Sequence, residues 1–101
     1  MKRELRILPT AEADLADLFD FIRFQSGRNR AVAYVQRLRD FCLTLPDFPE
    51  RGRRRNDLHE GLRSLSVDRR AIIVYRVDVR WVEVVHIYYA GRDYGPDDFI
   101  Q

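Results

Sequence analysis

Residues 62–89 read LRSLSVDRRAIIVYRVDVRWVEVVHIYY, and this run decides the fold. Val, Ile and Tyr crowd it, and Asp68-Arg69 and Asp78-Val79-Arg80 punctuate it. β-branched and aromatic side chains suit a pleated, half-buried surface. Leu62–Val67, Arg70–Val77 and Trp81–Tyr89 are therefore expected as three consecutive antiparallel strands. In the middle one, Ala71-Ile72-Ile73-Val74-Tyr75 is continuously apolar, the pattern of a central strand covered on both faces.

Upstream the period changes from two to that of a helix. Ala31, Val35, Leu38, Cys42 and Leu45 fall four, three, four and three apart, so residues 28–45 predict a helix with one apolar stripe. Pro46 is expected to end it and Pro49 to keep the next residues extended. Before it, Ala11, Leu15, Leu18, Ile22 and Gln25 share a face, widened by Phe19, Phe21 and Phe24. That helix is expected to begin at Ala11 with Thr10 as its cap, to favour its acidic first turns through the helix dipole, and to stop at Ser26-Gly27. Residues 3–8 alternate around Leu5 and Ile7, a short strand. Residues 46–61, with two Pro, two Gly and a run of Arg, read as a loop. The expectation is an α+β chain, β-α-α-β-β-β, as a single domain over residues 1–101, with 91–101 as a C-terminal tail.

Composition narrows the class. Hydrophobic residues make up 46 % and charged residues 34 % of 101, which is globular rather than disordered. The lone Cys42 makes no internal disulfide, no apolar run approaches the roughly 18–20 residues of a membrane span, and the basic start has no signal-peptide core. A cytoplasmic protein is expected. Its basic residues are seventeen Arg and the single Lys2. Residues 51–80 hold nine Arg against Asp57, Glu60, Asp68 and Asp78, an excess of 9 − 4 = +5, whereas Glu12, Asp14, Asp17 and Asp20 stand together without a base. A patch of that sign attracts an acidic protein segment or a phosphate backbone.

Motifs along the chain are more specific. They are Leu8-Pro9-x-Ala11-Glu12-x-Asp14-Leu15, Phe48-Pro49-x-x-Gly52-Arg53, Asn56-Asp57-Leu58-x-x-Gly61-Leu62-Arg63-Ser64-Leu65, Ile73-Val74-Tyr75-Arg76-Val77, and Val82-Glu83-Val84-Val85-His86-Ile87 before Arg92-Asp93. In this order and spacing the chain resembles the RelE/ParE toxin superfamily, nearer its ParE-type (plasmid stabilisation) members. It departs from the ParE pattern at Tyr89, where a His is common, and at His86, where an Arg is common.

The resemblance implies a non-enzymatic toxin that poisons DNA gyrase and is neutralised by a cognate, ParD-like antitoxin. On that reading Phe21, Phe24, Arg53, Arg63, Arg70 and Arg92 are the expected antitoxin- or target-binding residues. The alternative is a RelE-type ribosome-dependent mRNA endoribonuclease, with His86 and Tyr89 for proton transfer and Arg70 and Arg92 for the charged transition state. A lone His on a strand is more often packed or solvated than catalytic. No spacing suits a metal site, no glycine-rich loop suits a phosphate cofactor, and none is expected. The Arg51–Arg55 run reads as a solvated face, an antitoxin contact or a phosphate contact. Residues 50–74 contain no Phe, Tyr or Trp, which argues against direct nucleic-acid binding.

Overall fold

The computed structural model describes residues 2–89, so Gly91, Arg92, Tyr94, Phe99 and Ile100 of the tail lie outside the described residues. Among the described residues five strands and two helices follow in the order β1 (Glu4–Ile7), α1 (Pro9–Ser26), α2 (Arg28–Leu43), β2 (Arg53–Arg54), β3 (Leu62–Val67), β4 (Ala71–Val77) and β5 (Trp81–Tyr89). They form one mixed sheet in the order β1-β5-β4-β3-β2, with β1 parallel to β5 and the other neighbours antiparallel. The expected α+β order and meander are present, and β4 lies at the centre.

Three local expectations are corrected. The first helix starts at Pro9, not Ala11. Proline lacks only an N–H that a first helical residue leaves unpaired anyway, and its fixed φ suits that position. Leu8 takes the cap position and Thr10 caps nothing, because its hydroxyl donates instead to the Val85 carbonyl of β5. The second helix ends at Leu43, with Thr44 as its C-cap before Pro46 is reached. The 46–61 segment is not all loop, since Arg53 and Arg54 pair with Ser64 and Arg63 as a two-residue edge strand.

The helices pack on one face of the sheet. Ala11, Leu15 and Leu18 of α1, Leu38 and Cys42 of α2, and Leu45 meet Val67, Ile73, Tyr75, Val82, Val84 and Ile87 in the main core. Burial pushes the Cys42 thiol up to about 12, so it is a protonated hydrophobe at neutral pH. A second cluster of Leu58, Leu62, Val74, Val85 and Tyr88 covers the opposite face. Leu58, from the stretch between β2 and β3, folds over Val74, which explains the apolar run of β4. Gly27 alone joins the helices, at φ 94°, a conformation that a side chain would strain.

Candidate functional site

β1 stops pairing with β5 at Ile7–Val84, yet β5 continues to Tyr89. The exposed backbone groups beyond that point find partners on α1 instead. Thr10 and Asp14 stand four apart, one above the other on a helix. Thr10 donates to the Val85 carbonyl, and Asp14 Oδ2 accepts the Ile87 N–H at 2.9 Å. The same carboxylate oxygen accepts from His86 Nδ1 at 2.8 Å. A β-bulge makes this possible: Val74 pairs with His86 but Tyr75 with Val84, so Val85 is extra. The side chains of His86 and Asp14 are only 16 % and 10 % exposed. His86 stacks on Tyr88 at 5.3 Å, so the two share a face as their spacing requires.

The nuclease candidates are not assembled around His86. Tyr89 points to the helical side, where its ring meets Phe21 at 6.0 Å and Tyr34 at 5.7 Å. Arg70 is exposed beside the β3–β4 turn, one residue before Ala71, which pairs with Tyr89. Tyr89 and Arg70 thus share one end of the sheet, with His86 across it, and Arg92 lies outside the described residues.

The arginine-rich loop is held down more than its sequence suggests. Arg51 lies over the Phe41 ring at 4.9 Å and donates to the Thr44 hydroxyl. Arg55 forks onto Asp57, with Nε to Oδ1 at 3.0 Å and Nη2 to Oδ2 at 2.9 Å, and that bond holds the Asp57 carboxyl below the usual range. Arg63 Nη1 donates to the carbonyls of Gly52 at 2.9 Å and Glu50 at 3.2 Å. Beneath them Tyr75, fully buried, accepts from Gly52 N–H at 2.8 Å and donates to the Pro49 carbonyl at 2.9 Å. Of the expected contact residues here, Arg63 is tied inward and Arg53 stands exposed on the edge strand.

Among the α1 residues, Phe21 is 48 % exposed and Phe24 is 90 % exposed, so the aromatic excess of this helix is real. Phe19 is half-buried and lines a groove between α1 and α2 with Leu15 and Val35, closed at one end by the Glu12–Arg39 ion pair at 2.7 Å. Sequence reasoning missed two groups. Glu83 is a buried acid, held by Arg76 at 2.7 Å and Arg6 at 3.2 Å, while Arg6 also covers the Trp81 ring at 3.8 Å. The only hint was an acid inside an apolar strand. Asp14 was hidden in an acidic run that read as suiting the positive end of the helix dipole. Among the described residues no group of three or more His, Cys, Asp or Glu could hold a metal ion, and no helix is long and apolar enough to cross a membrane.

Comparison with known proteins follows the same lines as the geometry. The family model described as "ParE toxin of type II toxin-antitoxin system, parDE" matches residues 5–94. A solved chain of the chromosomal ParDE system from P. aeruginosa superposes with a TM-score of 0.78 at 22 % identity, over 87 % of this chain and 96 % of that one. A chain of the toxin–antitoxin complex RelBE2 from Mycobacterium tuberculosis gives 0.62 at 20 % identity, over 88 % and 99 %. At such identities these likenesses establish the fold. No curated protein matches. A family model spanning nearly the whole chain goes further than the fold, and by it this chain belongs to the ParE toxins of type II toxin–antitoxin systems.

Proposed function

We propose that this toxin acts by binding DNA gyrase and blocking its DNA-rejoining step, and that a cognate antitoxin neutralises it by covering the toxin's exposed aromatic surface. The family match supports a toxin held in check by an antitoxin. The observation that carries a binding mode of action is the end of α1, where Phe24 and much of Phe21 face water. Exposed rings of that size, beside exposed arginines, are what a partner helix or segment would bury. Arg53 and Arg70, both exposed, are the proposed charged contacts to the antitoxin, Arg63 is proposed to shape the loop that presents Arg53 by holding the Gly52 and Glu50 carbonyls, and Arg92 is proposed as a contact on the strength of its motif.

Induced expression in a bacterial host, followed by a supercoiling assay with purified gyrase, tests the reading. Loss of supercoiling with gyrase-dependent DNA breaks is the expected result. Growth arrest with gyrase fully active overturns it.

An mRNA endoribonuclease is the second reading, and one observation favours it. Asp14 fixes His86 through Nδ1, the way an acid orients a general base. Against it, His86 is largely buried and Tyr89 faces the other side of the sheet. Incubation with ribosomes and message decides: codon-directed cleavage that disappears in His86→Ala supports this reading, and intact message removes it.

A further inference from the structure

The β3–β4 connection is a two-residue turn. Arg70 N–H bonds to the Val67 carbonyl at 3.1 Å, and both central residues have positive φ, 55° at Asp68 and 59° at Arg69. That is the primed type I turn, which glycine or asparagine adopts most easily. Arginine at the second position is strained, and no hydrogen bond or ion pair among the described residues engages its side chain there. Asp68 is fixed from outside: Arg37 of α2 donates to both its oxygens, at 2.6 and 2.7 Å. The turn, tied to α2 through Asp68, carries Arg69 and Arg70 into solvent.

Other cations gather at the same end. Tyr34 meets Tyr89, and its phenol feels the charges of Arg70 and Arg37, so this turn of α2 lies beside the hairpin. Arg30 is four residues before Tyr34, hence on the same face, and Arg28 opens the helix. Arg28, Arg30, Arg69 and Arg70 are all exposed, and none takes part in an ion pair among the described residues. The nearby carboxylate Asp68 already belongs to Arg37, and Asp20 stands 4.0 Å from Arg23. Phe21 reaches Tyr89 from α1, and one helical turn on, Phe24 projects from the same helix end.

From this juxtaposition we infer that the end of the molecule formed by Arg28, Arg30, Arg69, Arg70 and Phe24 binds single-stranded DNA. Guanidinium groups that form no ion pair among the described residues fit phosphates, and an exposed ring at the same end of the molecule fits a base face. A peptide could also bury Phe24, but single-stranded DNA brings a phosphate and a flat base face in every nucleotide, the combination that guanidiniums and a ring side by side match. The 50–74 sequence lacks Phe, Tyr and Trp, but the fold supplies them from α1 and β5. The choice of DNA over RNA rests on the gyrase reading, whose reaction exposes DNA ends; the binding surface itself does not.

The test is fluorescence anisotropy of the purified toxin with a labelled oligo(dT) of about twenty nucleotides, titrated between about 50 and 200 mM salt. With four phosphates neutralised, log K is expected to fall against log salt with a slope of about −3. Arg69→Glu/Arg70→Glu is expected to weaken binding at least tenfold and flatten that slope, and Phe24→Ala to weaken it several-fold at unchanged slope. Absence of binding at the lowest salt, or variants that bind like the parent, overturns the inference. Tighter binding of oligo(U), of a duplex or of poly-glutamate than of oligo(dT) overturns it too. The assay contains no gyrase, so the two readings fail separately. A parent that inhibits gyrase yet does not bind oligo(dT) sinks only the DNA surface, and a parent that binds oligo(dT) yet spares gyrase sinks only the target.

Discussion

Two parts of this molecule carry arginines, and they use them in opposite ways. In the 51–63 segment three of five guanidiniums are engaged locally, Arg51 by Phe41 and Thr44, Arg55 by Asp57, and Arg63 by the Gly52 and Glu50 carbonyls, while Arg53 and Arg54 stay exposed on the edge strand. At the far end of the sheet Arg28, Arg30, Arg69 and Arg70 are exposed and form no ion pair among the described residues, while Arg37 is paired to Asp68. Each part also has its own buried tyrosine hydroxyl. Tyr75 under the loop is bonded twice, whereas the Tyr34 hydroxyl is buried with no partner among the described residues. A run of arginines in a sequence is therefore no guide to which are available. Availability depends on whether carbonyls and carboxylates come within reach after folding.

The sharpest way to break the contrast is to unpin the loop. A methyl at Gly52 would sit 2.8 Å from Tyr75 Cε1 and 2.9 Å from its Cζ, and that ring is fully buried and cannot yield. Overpacking and the severed Gly52–Tyr75 bond together are expected to destabilise Gly52→Ala by about 3 kcal/mol in urea unfolding. A variant as stable as the parent would mean that the loop is not held by this contact.

The tyrosine pair gives a smaller, two-sided prediction. Tyr75→Phe strands the Gly52 N–H and the Pro49 carbonyl and is expected to lose about 1–3 kcal/mol. Tyr34→Phe removes an unpartnered buried hydroxyl, so it is expected to leave stability unchanged or raise it by about 1 kcal/mol. Burial raises both phenols above their usual 10.0. Raised acids stabilise the fold below the unfolded pKa and lose that contribution as pH rises through the folded one. The alkaline fall in stability above about pH 10 should accordingly be shallower in each Phe variant than in the parent.

How much of this was legible beforehand follows from range. The meander, both helical stripes and the central place of β4 rest on periodicity within a segment, and they were readable. The two-residue β2 was not, because Arg53 and Arg54 carry no strand propensity and pair only once β3 is in place. Thr10 read as a cap since Ser and Thr usually are. The strand edge that β1 leaves open gave its hydroxyl a better partner 75 residues away. Asp14 and His86 stand 72 residues apart, and no local pattern joins them. Phe24 was readable as surplus aromatic surface, but the packing of Phe21 on Tyr89, which brings the end of α1 to the β3–β4 turn's end of the sheet, was not.

The turn offers a prediction in which stability and binding move in opposite directions. Arg69→Gly removes the side chain that resists positive φ and is expected to gain about 1 kcal/mol. The same change removes one phosphate contact, so oligo(dT) affinity should drop while the thermal midpoint rises. A variant that loses both would show that Arg69 is a structural residue.

The smallest effect separates the two ends by pH alone. Asp57 and Asp68 are both held below the usual carboxylate range, first of all by the hydrogen bonds of Arg55 and of Arg37. A depressed carboxyl stabilises the fold above its unfolded pKa, near 3.8, and loses that contribution as pH falls through the folded value. But only the difference between folded and unfolded chains counts. Arg55 is two residues from Asp57, so the unfolded chain keeps much of that pairing, whereas Arg37 and Asp68 are 31 residues apart and meet only in the fold. Asp68→Asn should therefore flatten the acid fall in stability below about pH 4, and Asp57→Asn should leave it as it is. Asparagine tolerates positive φ, so the turn itself is spared. Both pairs are exposed, and the gap between the variants is expected to close in about 1 M salt. Equal slopes at low salt would mean that the clamp between α2 and the hairpin is as slack as the local pair.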